Sequence, residues 1–466
     1  MSSAGTEAKY LNLEIPRKIA LAILFVLLFL LPALSYAGQS GKGGQSYWIK
    51  KLSRPDEAVL NASEIRLFND LTIEGTDGMA DLHSMPDIIS GQRVVEWIWT
   101  DLLVDPLAKY DSLGSPLPDG FLEELSWNMG FEEIPEEVEV RFGVVTGRAD
   151  VRGLPTDMAL LPRPGRGFDM IQYSSLYPAE RVALLHTSRD GEWGFFQTGT
   201  FRGWIRMDRV AFGEREDVLN DDGGPFVVVT GSKVRVYNER AMETLAGEAA
   251  MGRVLYLTAK KSGKSPKSPW TVRFPVRGAQ GVLEWKEAYI HQRADVHEGY
   301  LPYTRRNIIR QAFKMLGEEY GWGGRDGLRD CSLFIQDVFA TVGLKLPRNS
   351  RYQGLSGDVL AHLDDYGTRE EVALALKHAD PGTTLLTLRG HVMLHIGDVK
   401  GKPFVIHQIF GYADKKGMKR IGKVAVTGLD LGSRSAIGPM KKRLRGITRV
   451  TVPAQYGTGP ILDKNA

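Results

Sequence analysis

The sequence contains one cysteine, Cys331, in surroundings that suit a reactive thiol. Glycines crowd the chain before it, so the backbone there can bend sharply and lie close to a ligand; they are Gly321, Gly323, Gly324 and Gly327. Asp330 stands where an N-cap belongs, and apolar residues follow at helical spacing until Gly343 and Pro347. Cys331 is therefore predicted at the first position of a buried helix, where free N–H groups and the helix dipole lower the pKa of a thiol. The alternative is an inert core cysteine.

Three histidines downstream could serve such a thiol. A nucleophile of this kind needs a base within hydrogen-bond reach and a third group that orients the base. His391 and His395 lie in the segment HVMLH, where a strand would place both on one face, and His407 follows in VIHQIF. A zinc site built from these histidines is disfavoured, because a His-x-x-x-His pair binds one ion from a helix face and not from a strand.

Residues 320–350, taken with the two histidine segments, resemble the NlpC/P60 family of papain-like cysteine peptidases, which cut the peptide stems of bacterial cell wall. The positions that carry the resemblance are Tyr320, Trp322, Gly323, Gly324, Asp330, Cys331, Ser332, Leu346, Pro347, Arg348, Ser350, His391 and His407. The resemblance implies Cys331 as nucleophile, His391 as general base and His407 as the group that orients the imidazole. It also implies a substrate groove lined by Tyr320, Asp330, Ser332 and Ser350, and it requires no cofactor or metal.

His395 is an alternative candidate for the role of either His391 or His407. We interpret it as a partly buried strand residue, because His391 holds the family's strand-opening position. Two positions depart from the family pattern. Leu333 replaces the usual glycine after Asp-Cys-Ser, and Thr383 replaces the aspartate of Pro-Gly-Asp. Neither change removes a reacting group, but Leu333 is expected to narrow the pocket or to shift the helix start.

The predicted reaction is acyl transfer from a stem peptide to the Cys331 thiolate, followed by hydrolysis. The resemblance points to the bond between γ-D-glutamate and the diamino acid, with peptidoglycan or a muropeptide as substrate. Two alternatives stay open. In the first, the protein is a catalytically inert wall-binding or scaffold protein. In the second, the same residues catalyse an amidase or acyltransferase reaction on another substrate.

Charge is distributed unevenly along the 466 residues. Residues 301–466 carry 26 Lys and Arg against 15 Asp and Glu, a formal charge of +11, whereas residues 1–300 carry 33 against 41, or −8. A basic catalytic half fits an anionic substrate or a negatively charged wall or membrane surface, and the alternative is a solvated face. Nucleic acid is disfavoured as a partner, and none is expected, because the sequence shows neither aromatic–basic interleaving nor a known reading module.

The N-terminal segment, residues 1–37, is predicted to be a signal peptide. Arg17 and Lys18 precede an apolar run that ends in small residues, and Ser35 and Ala37 form a cleavage site after which Gly38 begins the mature chain. The alternative is an uncleaved membrane anchor. Export to the periplasm or cell envelope is expected in both cases, and a Gly/Ser-rich stretch up to Trp48 is predicted to be a flexible tether.

The remaining chain is predicted to be multidomain. Residues 38–140 form a mostly helical region, and residues 141–213 and 224–295 form two small SH3-like β-barrels, because VVTGRADVR recurs as VVTGSKVRV before short alternating runs. Residues 300–455 form an α+β papain-like NlpC/P60 catalytic domain by resemblance.

A few further residues carry local predictions. Ser63 begins a capping-box pattern before an apolar stretch in the helical region. Trp193 and Trp204 are expected to fill the core of the first barrel, and Asp169 and Tyr173 are candidates to reach a substrate amine.

Overall fold

The computed structural model describes residues 44–102, 109–165, 167–220, 223–258, 268–363 and 368–456. The described chain from Trp48 onward forms one compact unit. The predicted signal peptide, residues 1–37, lies outside the described residues. Among the described residues, none of the helices combines the length and apolar composition that crossing a membrane requires.

The N-terminal region is built mainly from short helices, as predicted. Its elements are α1 (Gln45–Ile49), α2 (Ala62–Glu74), β1 (Ile88–Ser90), α3 (Gly91–Asp101), α4 (Phe121–Asn128) and β2 (Glu137–Glu139), with β1 and β2 antiparallel. Residues 38–43 of the predicted tether lie outside the described residues. Its last residues do not form a flexible linker, because α1 begins at Gln45 and Trp48 is fully buried, with its ring 5.4 Å from that of Phe404. Burial of one large aromatic side chain offsets the entropy of ordering this short stretch.

A seven-stranded antiparallel sheet follows. Its strands are β3 (Arg141–Val145), β4 (Ala149–Arg152), β5 (Gln172–Leu176), β6 (Arg181–Thr187), β7 (Trp193–Thr198), β8 (Arg202–Arg206) and β9 (Val210–Phe212), in the order β5-β4-β8-β7-β6-β3-β9. Trp193 and Trp204 are buried in its core, as predicted, because alternate residues of these strands face inward.

The next seven strands repeat this order in two sheets. After α5 (Arg215–Leu219) come β10 (Phe226–Val229), β11 (Lys233–Tyr237), β12 (Leu245–Ala250), β13 (Val254–Tyr256), β14 (Trp270–Arg277), β15 (Leu283–Ile290) and β16 (Val296–Glu298). The sheet orders are β12-β11-β15-β14 and β13-β10-β16, and a bridge between Leu257 and Val272 links β13 to β14. Each strand therefore has the same neighbours as its counterpart in the first barrel, and β16 extends beyond the predicted boundary at residue 295.

The C-terminal part combines helices with a six-stranded antiparallel sheet. It contains α6 (Arg305–Lys314), α7 (Cys331–Ala340), α8 (Ser350–Gln353), β17 (Asp358–His362), α9 (Arg369–Lys377), β18 (Thr384–Leu388), β19 (His391–Val399), β20 (Lys402–Asp414), β21 (Gly417–Gly428) and β22 (Gly446–Arg449). The sheet order is β17-β22-β18-β19-β20-β21, and α7 packs against β19 and β20. This is the predicted α+β arrangement.

Helix α7 is buried along nearly its whole length. Every residue from Cys331 to Phe339 is buried, including Gln336 and Asp337. The apolar side chains pack against the sheet, while the carboxylate of Asp337 meets the guanidinium of Arg329 at 2.7 Å. A buried charge is tolerated only with such a partner, so this helix is held in one position by both packing and charge.

Candidate active site

The glycine-rich turn before Cys331 is required by a neighbouring domain. Gly323 and Gly324 have φ values of 60° and 75°, which favour glycine. A Cβ atom at Gly323 would lie 2.4 Å from the carbonyl oxygen of Gln172, and one at Gly324 would lie 2.4 Å from Ser175 Oγ. The sequence analysis expected a ligand close to these glycines. Their close neighbour is instead strand β5 of the first barrel.

Cys331 occupies the predicted first position of α7. Asp330 is the N-cap, and its carboxylate accepts a hydrogen bond from the Leu333 N–H at 3.0 Å. Leu333 points into the core and is only 2% exposed, so this departure from the family pattern does not shift the helix start. The backbone N–H groups of Ser332 and Val392 face the sulfur atom, which places the thiol between the helix tip and strand β19.

The prediction that the helix start lowers the pKa of the Cys331 thiol is wrong. Cys331 is 7% exposed, and burial raises the pKa of its thiol to about 12, with the Asp330 carboxylate adding to the effect. Hydrogen bonds from the Val392 and Ser332 N–H groups act in the opposite direction but are weaker. Desolvation of the thiolate thus outweighs the helix terminus, and the resting sulfur is protonated.

Two of the three candidate histidines form a hydrogen-bonded pair. His391 begins β19 and His407 lies in β20, and the His391 Nε2 atom is 2.8 Å from the His407 Nδ1 atom. Burial lowers the pKa of His391 to about 4, and the positive charge of Arg443 contributes. Burial also holds the pKa of His407 well below its ordinary value. Both rings are therefore neutral.

A threonine completes this chain of polar groups. Thr427 Oγ1 lies 3.0 Å from His407 Nε2. When the threonine oxygen accepts a hydrogen bond from His407 Nε2–H, His407 Nδ1 must accept from His391 Nε2–H. The remaining nitrogen of that ring, His391 Nδ1, is then unprotonated and can accept a proton. No sequence pattern pointed to Thr427, because its strand reaches His407 only through the pairing of β20 with β21.

His395 stands apart from this pair. Its Nε2 atom lies 3.3 Å from a carboxylate oxygen of Asp398, and the residue is buried. The interpretation of His395 as a buried strand histidine is therefore confirmed. The three histidines do not converge on one point, and the described ranges of the chain contain no group of three or more His, Cys, Asp or Glu side chains arranged to hold a metal ion.

Two of the predicted substrate-binding residues are engaged by a buried arginine. Arg348 donates from Nη2 to the Asp330 carboxylate and from Nη1 to the Ser332 hydroxyl, each at 2.6 Å, and from Nε to Ser174 Oγ of the first barrel at 2.8 Å. The family pattern includes this arginine, but its role was not predicted. The Arg348 fork positions Asp330 and Ser332 and fixes the barrel against the helix tip.

A cavity of about 510 Å³ opens beside the sulfur atom. Cys331, Asp330, Ser332 and Ser350 line it, together with Trp322, Arg348, Tyr352 and Gly390. Tyr320 is not among its lining residues. The Tyr320 ring packs instead between Phe168 and Phe410, with centroids 6.0 and 5.6 Å away, and burial raises the pKa of its hydroxyl.

The opposite wall comes from the helical region and the first barrel. Asp77, Asp101, Tyr173 and Arg202 line it, and Arg202 Nη2 lies 3.0 Å from an Asp77 oxygen. Asp169, predicted as an amine-binding candidate, is instead buried in an ion pair with Arg152. Tyr173 reaches the cavity, while its hydroxyl donates to the Asp101 carbonyl at 2.9 Å.

Comparisons with known proteins agree with this architecture. Residues 317–412 match the family model of the NlpC/P60 family, and residues 159–206 match that of an SH3 domain of the SH3b1 type. No curated protein matches the chain. The chain thus carries an SH3b-type domain followed by an NlpC/P60 domain.

Two solved structures are similar to the chain, and the first of them has the same fold. An NlpC/P60 endopeptidase from Photobacterium damselae subsp. piscicida is similar over 87% of this chain and 97% of that chain, at 20% identity and a TM-score of 0.68. An NlpC/P60 family protein from Bacillus cereus ATCC 10987 aligns over 60% of this chain and 83% of that chain, at 17% identity and a TM-score of 0.43. The first similarity extends the shared fold to nearly the whole chain.

Proposed function

We propose that this chain, which carries an NlpC/P60 domain behind an SH3b-type domain, is an exported cysteine endopeptidase that hydrolyses the stem peptides of peptidoglycan. The observation that supports this proposal is the position of Cys331, which begins α7, lines the cavity and has its sulfur faced by the backbone N–H of Val392, the residue after His391 of the hydrogen-bonded imidazole pair. Such a set provides a nucleophile, a base and a group that orients the base.

In the proposed reaction the proton leaves the thiol as the sulfur attacks. His391 Nδ1 accepts this proton, because Nε2 of the same ring is held by His407. The carbonyl oxygen becomes an oxyanion next to the N–H groups at the start of α7, and the imidazolium then protonates the leaving amine. Water hydrolyses the thioester and restores the thiol. A neutral resting pair makes His391 a general base, and no preformed thiolate is needed.

The cavity suits a short peptide that carries both charges. Arg202 and Arg348 contribute guanidinium groups, and Asp77 contributes a carboxylate that is 69% exposed. Within the described ranges, one oxygen of Asp77 contacts Arg202, at 3.0 Å. We assign the acyl part of the substrate to this cavity, with its amino group toward Asp77. The γ-D-glutamyl–diamino acid bond fits this placement, because a cavity of about 510 Å³ bounded by the helical region and the first barrel suits a short acyl part.

One observation favours a second candidate function. The sulfur is nearly sealed from solvent and its thiol pKa is raised, as in an inert cysteine. A wall-binding or scaffold protein with an inactive peptidase domain would show the same burial.

The two candidates are distinguished by product analysis. Full-length protein and its Cys331→Ala variant are incubated with muropeptides, and the products are followed by mass spectrometry. Cleavage by the wild type alone, with a new amino terminus on the diamino acid, supports the peptidase. Absence of cleavage with retained binding supports the scaffold, and a product of another mass supports amidase or acyltransferase chemistry.

A further inference from the structure

Arg443 lies close to the catalytic pair but belongs to none of the contacts described above. It ends the short 3-10 helix Met440–Arg443, just before β22. The backbone N–H of Arg445 donates to the Thr387 carbonyl at 2.8 Å, and the next residue of β18, Leu388, is the register partner of His391. The segment around Arg443 therefore lies at the same end of the sheet as His391, where β19 begins.

The guanidinium of Arg443 has no carboxylate partner among the residues that the structure describes. Its Nε atom is buried and makes no hydrogen bond. Most other partly buried arginines near the site are paired: Arg348 with Asp330, Arg329 with Asp337, and Arg202 with Asp77 and Asp101. A half-buried cation without an anion is costly, so it is a candidate to receive one from a ligand.

The electrostatic effect of Arg443 agrees with this geometry. Its positive charge contributes to the low pKa of His391, and partial burial lowers the pKa of the guanidinium itself. A base in a hydrolase needs a pKa nearer to the working pH than this one has. An anion bound to Arg443 would remove part of the opposing charge beside the imidazole.

We propose that Arg443 binds a carboxylate of the amino acid that leaves the scissile bond. This inference rests on the proposed function, because His391 must protonate the leaving amine and the departing residue must therefore lie beside that imidazole. The 510 Å³ cavity is bounded by Gly390 on the side before His391 and accommodates the acyl part. Arg443, on the segment that follows β21, is not among the residues that line this cavity, so we assign it to the leaving group.

A leaving diamino acid offers two carboxylates with the same chemistry. One is the α-carboxylate at the scissile amine, which is free only when no further residue follows. The other is the distal carboxylate that diaminopimelate has and lysine lacks. Either one would form charge-assisted hydrogen bonds with the planar fork of an arginine, which a lysine reproduces only in part.

The experiment uses four substrates with the same acyl part. The leaving residue is diaminopimelate or lysine, and its α-carboxyl group is free or amidated. The kcat/KM of the full-length wild type is compared with that of Arg443→Gln, Arg443→Lys and the control Lys442→Gln, which removes the charge of the adjacent exposed residue. Circular dichroism and thermal unfolding establish that the variants are folded.

We expect Arg443→Gln to lose about 10-fold to 100-fold in kcat/KM on the substrate with both carboxylates, and Arg443→Lys to lose less. The loss should disappear when one particular carboxylate is removed, and that substrate identifies the source. Lys442→Gln should leave kcat/KM unchanged on all four substrates.

Two results would overturn the proposal. In one, Arg443→Gln lowers kcat/KM by the same factor on all four substrates, including amidated lysine; in the other, it leaves kcat/KM unchanged on all of them. Both outcomes leave wild-type cleavage intact and so leave the proposed function standing. A wild type that cleaves none of the four refutes the proposed function, and this inference with it.

Discussion

At the scale of single residues, the site combines a protonated thiol with two neutral imidazole rings. The pKa of Cys331 lies near 12 and that of His391 near 4, so both groups are neutral across the physiological range. The residue types at these positions are predictable from the motif. The pKa values are not, because the burial that sets them depends on a barrel and a sheet contributed by distant parts of the chain.

The first prediction concerns alkylation of Cys331. Because the thiol pKa is raised, the thiolate fraction is small at neutral pH and grows about tenfold for each pH unit. The rate of modification by iodoacetamide in the free enzyme should therefore rise from pH 7 to pH 10 without levelling. The label is unambiguous, because the chain has one cysteine. A fast rate that is already constant near pH 6 would indicate a preformed ion pair and contradict the resting state described here.

The second prediction concerns Thr427, a positioning residue that acts through His407. Thr427→Val removes the oxygen 3.0 Å from His407 Nε2, so the histidine pair loses the group that fixes its tautomer. We expect kcat to fall about tenfold with KM unchanged, and Thr427→Ser to restore it. The matched control is Thr384→Val, at a buried strand position where the hydroxyl has no partner. Equal effects of both substitutions on kcat would contradict the assignment.

At the scale of elements, helix starts show what a sequence pattern can and cannot provide. The start of α7 at Cys331 is confirmed, because Asp330 and the apolar spacing leave few alternatives. The start of α2 was expected near Ser63, but Asn61 is the N-cap and forms a capping box with Glu64. Asn and Ser are similarly good caps, but only Asn61 is followed three residues later by a glutamate, whereas Ser63 is followed by Arg66, so the full capping-box pattern identifies Asn61.

The third prediction tests the double role of Asp330. Asp330→Ala removes the cap of α7 and leaves the buried guanidinium of Arg348 without its carboxylate. We expect the free energy of unfolding in urea to fall by about 3–5 kcal/mol. Thr368→Ala, which removes the exposed cap of α9, should cost only about 1 kcal/mol. A loss at Asp330 no larger than that at Thr368 would show that the Arg348 contact is not stabilising.

At the scale of the whole molecule, the two barrels and the NlpC/P60 domain share a buried set of charges. Arg253 of the second barrel lies 2.5 Å from Glu180 of the first barrel and 3.4 Å from Asp337 of α7. Arg329 then joins Asp337 to the Ser232 carbonyl. The repeated motif predicted that two similar barrels exist, and their matching strand order agrees. It could not predict these contacts, which depend on how separate domains dock.

The fourth prediction follows from this shared network. Because the domains bury charge against one another, the full-length protein should unfold in one calorimetric transition. Arg253→Met leaves the buried Glu180 carboxylate without its cation, while Asp337 keeps Arg329, and should lower the free energy of unfolding by about 3–5 kcal/mol. Arg206→Met at the surface pair with Glu192 should cost less than about 1 kcal/mol. Separate transitions in the wild type would contradict the coupling of barrels and catalytic domain.

The most direct test is the mass of the protein during turnover. Wild-type enzyme is mixed with a muropeptide, quenched in acid within the first turnovers, and analysed as intact protein and as peptides. The proposed mechanism predicts a transient mass increase equal to the acyl part of the substrate, located on Cys331 and absent from Cys331→Ala. Turnover by Cys331→Ala, or an acyl group on any other residue, would contradict it.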